Sequence, residues 1–169
     1  MQFNGHHGRS RKSLAYSDRV TLDARGVRTA CPSCSATNRQ LYGALDRPTR
    51  CGKCGTPLPA PGAPIEVLDA ASFDALVANA SIPVVVDFWA PWCGPCRAMA
   101  PELATMAQRT AGRVLVVKVD TEAQPALGGR FGIRSIPTIA LFRNGREAAR
   151  VAGARPAADL ERFALTGQG

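Results

Sequence analysis

The sequence predicts an α/β protein with a central mixed β-sheet and helices on both faces of that sheet. Two nearly continuous apolar runs rich in β-branched residues, 82–89 and 114–120, are typical of strands buried on both sides. A helical pattern separates them, and two strands joined through a helix lie parallel. Asn144-Gly145 predicts a tight antiparallel hairpin further along the chain. Parallel and antiparallel strands together make the sheet mixed.

The elements expected around this core follow in order from residue 65. They are a strand at 65–68, a helix through Phe73 and Leu76, the strand 82–89, a second helix, the strand 114–120, a short helix at Leu127, hairpin strands at 138–142 and 147–151, and a last helix. We expect Asp69 or Ser72 to cap the first helix and Pro156 to open the last one. Pro101 lies inside the second helix, where we expect a kink. Two consecutive glycines weaken the short helix.

The first buried strand is followed directly by Trp92-Cys93-Gly94-Pro95-Cys96. Pro95 suits a first helical turn, so Cys93 is expected at a helix N-terminus, where free amides and the helix dipole stabilise a thiolate. Cys96 follows one turn later on the same face, within reach for a disulfide. We interpret the pair as a dithiol redox centre in which Cys93 attacks and Cys96 resolves. Half of a zinc site and two buried cysteines are the alternatives.

These residues carry a resemblance to a known family. The segment VDFWAPWCGPC, residues 86–96, resembles the active-site segment of thioredoxins, and Trp89 is part of the match. The resemblance implies Cys93 as nucleophile, Cys96 as resolving thiol and Asp87 as a buried carboxylate beneath them. Asp87 lies among apolar residues, where burial is expected to raise its pKa and to suit it to acid/base chemistry. The alternative is a solvated, inert acid at a strand end.

The resemblance also assigns residues outside this segment. Lys118 matches the lysine near the buried carboxylate, although an ordinary exposed strand residue explains it equally well. Ile136-Pro137-Thr138 matches the cis-proline segment of the family, so Pro137 is expected to be cis and to face Cys93. Backbone pairing beside Pro137 implies a broad range of substrates. The implied docking surface consists of Trp92, Gly94, Pro95, Ile136, Pro137 and Gly153.

The activity implied by the resemblance is thiol–disulfide exchange, with the chain reducing disulfides of other proteins. The implied partners are disulfide-containing protein substrates and an NADPH-dependent thioredoxin reductase. The chain has no motif for NADPH or flavin, so neither is expected to be bound to it. A rival hypothesis makes the chain a zinc-ribbon module that binds nucleic acid or a protein, carried on a passive thioredoxin fold. The intact dithiol segment argues against that passivity.

Four further cysteines form two Cys-x-x-Cys pairs with sixteen residues between them: Cys31, Cys34, Cys51 and Cys54. This spacing is typical of a four-cysteine zinc site. One structural zinc ion is expected to provide most of the folding free energy of so short a segment, on the order of 10 kcal/mol. Rubredoxin-like iron and a second redox dithiol are the alternatives. With this module, the chain resembles bacterial thioredoxins of the thioredoxin 2 type over roughly residues 28–165.

Composition divides the 169 residues into four expected parts. Residues 1–27 are polar and basic, which predicts a disordered tail, with an organelle transit peptide or an overextended gene start as alternatives. Residues 28–58 are the zinc-ribbon module, and residues 59–64 are a proline-rich linker. Residues 65–169 are the thioredoxin domain. The linker predicts two folding units with few contacts between them.

The formal charge of +8 lies almost entirely in the first 60 residues. Tyr42 is the single aromatic residue of the zinc-ribbon segment, so this segment offers little for stacking on bases and nucleic-acid binding is not expected. No apolar run reaches the length of a membrane span, and the first 30 residues lack the apolar middle of a signal peptide. We therefore expect a cytoplasmic protein, and a monomer.

Overall fold

The computed structural model describes residues 20–169, which begin with a small module of five strands. The strands are β1 (Val20–Asp23), β2 (Gly26–Ala30), β3 (Thr37–Leu41), β4 (Thr49–Arg50) and β5 (Pro57–Leu58). The first three form an antiparallel sheet in the order β1-β2-β3, and the last two pair with each other. A single turn of 3₁₀ helix, Tyr42–Ala44, joins the two parts. We call residues 20–58 the N-terminal module.

The prediction of a disordered tail is wrong for residues 20–27, which form β1 and the start of β2. Val20, Leu22 and Val27 are buried on the inner side of this hairpin. Asp23 closes the turn, since its Oδ1 accepts hydrogen bonds from the backbone amides of Arg25 and Gly26. Alternation over only four residues is a weak signal in a basic, polar segment. The rest of the predicted tail, residues 1–19, lies outside the described residues.

The remainder of the chain forms the mixed sheet and the helices that the sequence predicts. In order they are β6 (Ile65–Glu66), α1 (Ala70–Asn79), β7 (Val84–Trp89), α2 (Gly94–Arg109), β8 (Leu115–Asp120), α3 (Pro125–Arg130), β9 (Thr138–Arg143), β10 (Arg146–Ala152) and α4 (Ala157–Thr166). The strand order is β10-β9-β7-β8-β6. β8 is parallel to β6 and β7, whereas β9 is antiparallel to β7 and β10. The expected thioredoxin fold is confirmed.

Local sequence signals explain where several of these elements begin and end. Asp69 caps α1, because its carboxylate accepts a hydrogen bond of 2.7 Å from the backbone amide of Ser72. The hairpin turn between β9 and β10 contains Asn144 and Gly145, both with positive φ, as an Asn-Gly turn requires. α2 continues through Pro101 as one helix. β6 is shorter than predicted, with two residues in place of four.

The sheet separates two apolar layers. Successive side chains of β7 point alternately into one layer and the other. Val84, Val86 and Phe88 pack with α1 and α3, while Val85 packs with α2 and α4. Asp87 alternates with these residues and therefore points to the same side as Val85. The fold thus directs one carboxyl group from its central strand toward the helix that carries the dithiol.

The N-terminal module packs directly on the rest of the chain, so the expectation of few contacts between the two units is wrong. Tyr42 and Leu45 of the module belong to the same buried apolar cluster as Phe73 and Leu76 of α1. Strand β1 also contacts β6. Ser81 adds polar contacts, because its amide donates to the carbonyl of Tyr42 at 2.9 Å and its hydroxyl donates to Asp46 Oδ1 at 2.8 Å. The module buries its apolar face against the domain, and the proline-rich linker alone does not reveal this.

Replacing Tyr42 with Ala should therefore destabilise the whole chain. The ring is buried and its hydroxyl donates a 2.7 Å hydrogen bond to the carbonyl of Asp23, so the loss should be about 3–5 kcal/mol. Denaturant unfolding followed by tryptophan fluorescence tests this, since Trp89 and Trp92 both lie outside the module. Leu41→Ala is the matched control, because Leu41 is exposed. An unfolding midpoint that stays unchanged in Tyr42→Ala would show that the module unfolds separately.

Candidate redox and metal sites

The structure joins Cys93 and Cys96 in a disulfide at the N-terminus of α2. Cys93 is the N-cap residue in an extended conformation, and its Sγ accepts a hydrogen bond of 3.1 Å from the backbone amide of Cys96. Pro95 lies in the first turn, where it has no amide that would need a partner. The helix therefore presents an amide donor and the positive end of its dipole to the Cys93 sulfur, which favours a thiolate at that position.

In the disulfide form, solvent exposure does not show which of the two cysteines is the attacking thiol. Each is 3% exposed, whereas the neighbouring Trp92 is 66% exposed. Cys96 lies one turn further along the chain than Cys93, yet the structure gives both the same burial. The feature that distinguishes them is the hydrogen bond, because the amide of Cys96 points at the sulfur of Cys93.

The residues expected for docking differ in their exposure. Gly94, Pro95 and Gly153 are exposed, and Ile136 is half-buried. The bond between Ile136 and Pro137 is cis, as expected, and the carbonyl of Pro137 accepts a hydrogen bond of 2.9 Å from the amide of Gly153. A groove of about 290 Å³ continues from Trp92 along Thr121, Gly128, Arg134 and Ile136. Trp92 and Ile136 therefore line one groove, whereas Pro137 is buried.

Asp87 is buried as predicted, with 2% of its surface exposed. Its Oδ1 has no hydrogen-bond partner within residues 20–169. Burial raises the pKa of Asp87 to about 7; Lys118 opposes this rise and Glu66 adds to it. A carboxyl with this pKa exchanges its proton near neutral pH, which is the property that acid/base chemistry needs.

Lys118 lies beside Asp87 in the sheet, and a glutamate that sequence analysis missed lies on its other side. Lys118 pairs in register with Asp87 of β7 and with Glu66 of β6. Its Nζ lies 3.6 Å from Glu66 Oε2 and 3.5 Å from the centroid of the Trp89 ring. Trp89 Nε1 in turn donates to Glu66 Oε1 at 3.1 Å. Lys118 is therefore not an ordinary exposed strand residue. Only the register of β6 against β8 brings Glu66 to it, and the sequence does not provide that register.

The second site consists of the four remaining cysteines, whose sulfur atoms all lie within 4.8 Å of one another. The sulfurs of Cys31 and Cys54 are 3.6 Å apart, and so are those of Cys34 and Cys51. Four thiolates around a tetrahedral zinc ion, with Zn–S bonds of about 2.3 Å, would be about 3.8 Å apart. The donor set and its spacing therefore fit one zinc ion.

The two Cys-x-x-Cys turns have the same backbone hydrogen bonds. Ser35 donates to the carbonyl of Cys31 and Gly55 to that of Cys51, each at 2.9 Å. Ser35 and Gly55 both have positive φ, for which glycine is better suited than serine. Hydrogen bonds from the amides of Cys54 and Lys53 lower the pKa of the Cys51 thiol, which favours the thiolate that binds metal.

Asn38 is a second residue that sequence analysis missed. Its side-chain amide donates to the carbonyl of Ala36 at 2.8 Å and to Cys51 Sγ at 3.5 Å, while its Oδ1 accepts from the amide of Gly52 at 2.9 Å. It therefore ties the two cysteine turns together. Asparagine next to a turn has many uses, so the sequence carries no specific signal for this one.

The thioredoxin family model matches residues 64–166 of the chain. The chain belongs to the thioredoxin family. It is a thiol–disulfide oxidoreductase, in agreement with the disulfide at the start of α2. No helix within residues 20–169 has the length and apolar character needed to cross a membrane.

Individual thioredoxins match different lengths of the chain. Thioredoxin C-3 of Corynebacterium nephridii is 41% identical over 133 residues, which are 79% of this chain and 90% of that protein. Thioredoxin of Haemophilus influenzae is 45% identical over 93 residues, 55% of this chain and 87% of that protein. The solved structure of a mutant thioredoxin from Halobacterium salinarum superposes with a TM-score of 0.58 at 30% identity, covering 63% of this chain and 92% of that one. The first match is longer than residues 65–169, so it includes part of the N-terminal module.

Replacing Asp87 with Asn should stabilise this thioredoxin relative to the parent protein, by an amount that grows as pH rises. The folded pKa is raised from 3.8 to about 7, so the folded state holds its proton after the unfolded state has lost it. The stabilising contribution of Asp87 is complete below pH 3.8 and is lost as pH rises through the folded pKa. The unfolding free energy of the variant minus that of the parent should grow by about 4 kcal/mol from acidic to mildly alkaline pH.

Denaturant unfolding of both proteins across this range measures the difference. Asp74→Asn is the matched control, because it makes the same substitution at an exposed carboxylate on α1. A difference for Asp87→Asn that does not change with pH would contradict the raised pKa.

Proposed function

We propose that the chain reduces disulfide bonds in proteins, with Cys93 as the nucleophile and Cys96 as the resolving thiol. The observation that carries this proposal is the Cys93–Cys96 disulfide at the N-terminus of α2, with the Cys96 amide directed at Cys93 Sγ. That arrangement stabilises negative charge on one of the two sulfurs and keeps the other within bonding distance. It therefore supports an ordered pair of attacks.

The reaction balances in two exchange steps. The Cys93 thiolate attacks one sulfur of the substrate disulfide, forms a mixed disulfide and releases the other substrate sulfur as a thiolate. Cys96, after losing its proton, attacks Cys93 Sγ, closes the Cys93–Cys96 disulfide and releases the second substrate thiolate. Two electrons pass from the dithiol to the substrate, and the protein ends oxidised. We assign the return of two electrons to an NADPH-dependent thioredoxin reductase.

Asp87 accepts the proton of Cys96 in this scheme. Cys96, Met99 and Leu103 are buried on α2, and Met99 and Leu103 pack against the sheet face to which Asp87 points. A carboxyl with a pKa near 7 matches a proton transfer at neutral pH. Lys118, next to Asp87 in the sheet, modulates that pKa by its charge.

We assign the docking of substrates and of the reductase to Trp92, Gly94, Pro95, Ile136, Pro137 and Gly153, of which Pro137 is buried. Neither backbone group of Ile136 has a hydrogen-bond partner in the part of the chain that the structure describes. An extended substrate segment can pair with them, which gives recognition by main chain and a broad substrate range. We propose that the protein works as a monomer in the cytoplasm.

Cys31, Cys34, Cys51 and Cys54 would hold one structural zinc ion, and on this basis we propose that the chain is of the thioredoxin 2 type. Four thiolates complete a tetrahedral shell and leave no position for catalysis. The ion would supply the cross-link on which folding of the short module depends. The match to Thioredoxin C-3 of Corynebacterium nephridii includes part of this module, which supports the presence of a similar segment in that thioredoxin.

Replacing Cys96 with Ser should trap substrates on Cys93. The mixed disulfide still forms in this variant, but the thiol that resolves it is missing. Incubation with a disulfide-containing protein, followed by mass spectrometry without reductant, should show adducts on Cys93 and turnover reduced by at least about 100-fold. In the matched variant Cys93→Ser, few adducts should form. Stable adducts on Cys96 in Cys93→Ser would reverse the assignment of the two thiols.

Removing the metal should destabilise the whole chain and leave the dithiol chemistry intact below the new unfolding midpoint. Zinc binding to such modules contributes on the order of 10 kcal/mol, and this module shares its core with α1. We expect one zinc per chain in purified protein, and less than one in Cys54→Ser. Unfolding midpoint and disulfide reduction, measured at low temperature before and after chelation, test this. Activity that falls in proportion to zinc would contradict the structural role.

A further inference from the structure

We propose that Glu66 is a positioning residue that holds the Lys118 ammonium away from the Asp87 carboxyl. The inference deepens the role proposed above for Asp87 as the proton acceptor of Cys96, and it rests on that role. Lys118 has an acid at the paired position on either side, Asp87 on β7 and Glu66 on β6. Within residues 20–169 its ion pair is with Glu66, and Asp87 Oδ1 is left without a hydrogen-bond partner.

The three ionisable side chains form a row across the sheet. Paired positions on parallel neighbouring strands point to the same face and lie about 4.8 Å apart. Lys118 occupies the middle of the row, so it can lean toward either acid. Its Nζ lies 3.6 Å from Glu66 Oε2, which shows the direction in which it leans.

Trp89 completes the site that holds the ammonium. Its Nε1 donates a 3.1 Å hydrogen bond to Glu66 Oε1, which fixes the carboxylate. The face of its ring lies 3.5 Å from Lys118 Nζ, close enough for a cation–π contact. Glu66 and Trp89 thus bind the same cation from two sides, and the indole connects them. A glutamine at position 66 would keep the acceptor for Trp89 and lose the charge that attracts Lys118.

The charges that act on Asp87 give the sign of the expected effect. Burial dominates its raised pKa, Lys118 lowers it and Glu66 raises it. On β9 the paired residue is Ile139, which carries no charge. On α2, Cys93 and Cys96 do not titrate while they form the disulfide, Arg97 donates to the carbonyl of Pro91, and Glu102 accepts from the amide of Ala157. Removing the charge of Glu66 therefore favours ionised Asp87 twice, by ending the repulsion between the two carboxylates and by freeing Lys118.

The test is Glu66→Gln in the full chain. Titration of the Asp87 carboxyl by ¹³C NMR in the oxidised protein should move to lower pH by on the order of half a pH unit. The side chain of Glu66 is 39% exposed, so added salt should reduce this shift. In the reduced protein, the pH profile of mixed-disulfide resolution should move in the same direction. A residue that only supports folding would change stability without moving either titration.

Two further variants separate positioning from a general effect of charge. Lys118→Met should move the Asp87 titration to higher pH. In the Lys118→Met background, Glu66→Gln should produce a smaller shift than in the parent, because only the direct repulsion remains to be removed. Asp74 is an exposed residue of α1, on the other face of the sheet, and pairs with Arg130. Asp74→Asn should leave the Asp87 titration unchanged.

The outcomes distinguish this inference from the proposed role of Asp87. An Asp87 titration that is unchanged in Glu66→Gln, or a Glu66→Gln shift of equal size with and without Lys118, would overturn the positioning role. A shifted NMR titration together with an unshifted rate profile would support the placement of Lys118 by Glu66. The same result would remove Asp87 as the proton acceptor.

Discussion

The arrangement of the redox site depends on one constraint: the carboxyl group of Asp87 is buried on the central strand of the sheet. Asp87 lies between β8 and β9, and helices cover both faces of the sheet. Asp87 is buried and its Oδ1 finds no protein partner within residues 20–169, and burial raises its pKa to about 7. β7 ends only four residues before Cys93, and α2 then packs back over the face to which Asp87 points. A short chain segment therefore supplies both the dithiol and a nearby group that exchanges protons at neutral pH.

The N-terminal module is structurally continuous with this site through β6. β1 contacts β6, and Tyr42 and Leu45 share the apolar cluster that lies beneath α1. β6 carries Glu66, which binds Lys118 and Trp89 beside Asp87. Cross-linking of the module by a metal would therefore stabilise the edge of the sheet on which the surroundings of the carboxyl are built. In the proposed function, the four cysteines therefore have a structural task and take no part in the reaction.

Features that depend on short-range patterns were predictable from the sequence. Buried strands, the Asn-Gly hairpin and the capped helix α1 each follow from a few neighbouring residues, and the two Cys-x-x-Cys turns follow from their spacing. Features that depend on tertiary register were not predictable. Glu66 meets Lys118 only because β6 pairs with β8 in one register, and Asn38 meets Cys51 only because two distant turns adjoin. The strand at 20–23 was missed because alternation over only four residues is a weak signal in a basic, polar segment.

In the proposed mechanism, Asp87 takes the proton of Cys96 when the mixed disulfide is resolved. The most direct measurement uses the mixed disulfide of Cys93 with a chromogenic aromatic thiol in the full chain, and follows release of that thiol by Cys96 in a single turnover from about pH 5 to pH 9. The rate should rise with a midpoint near the Asp87 pKa of about 7. Asp87→Asn should lose this midpoint and release the thiol more slowly at neutral pH. An identical rate profile in parent and variant would contradict the claim.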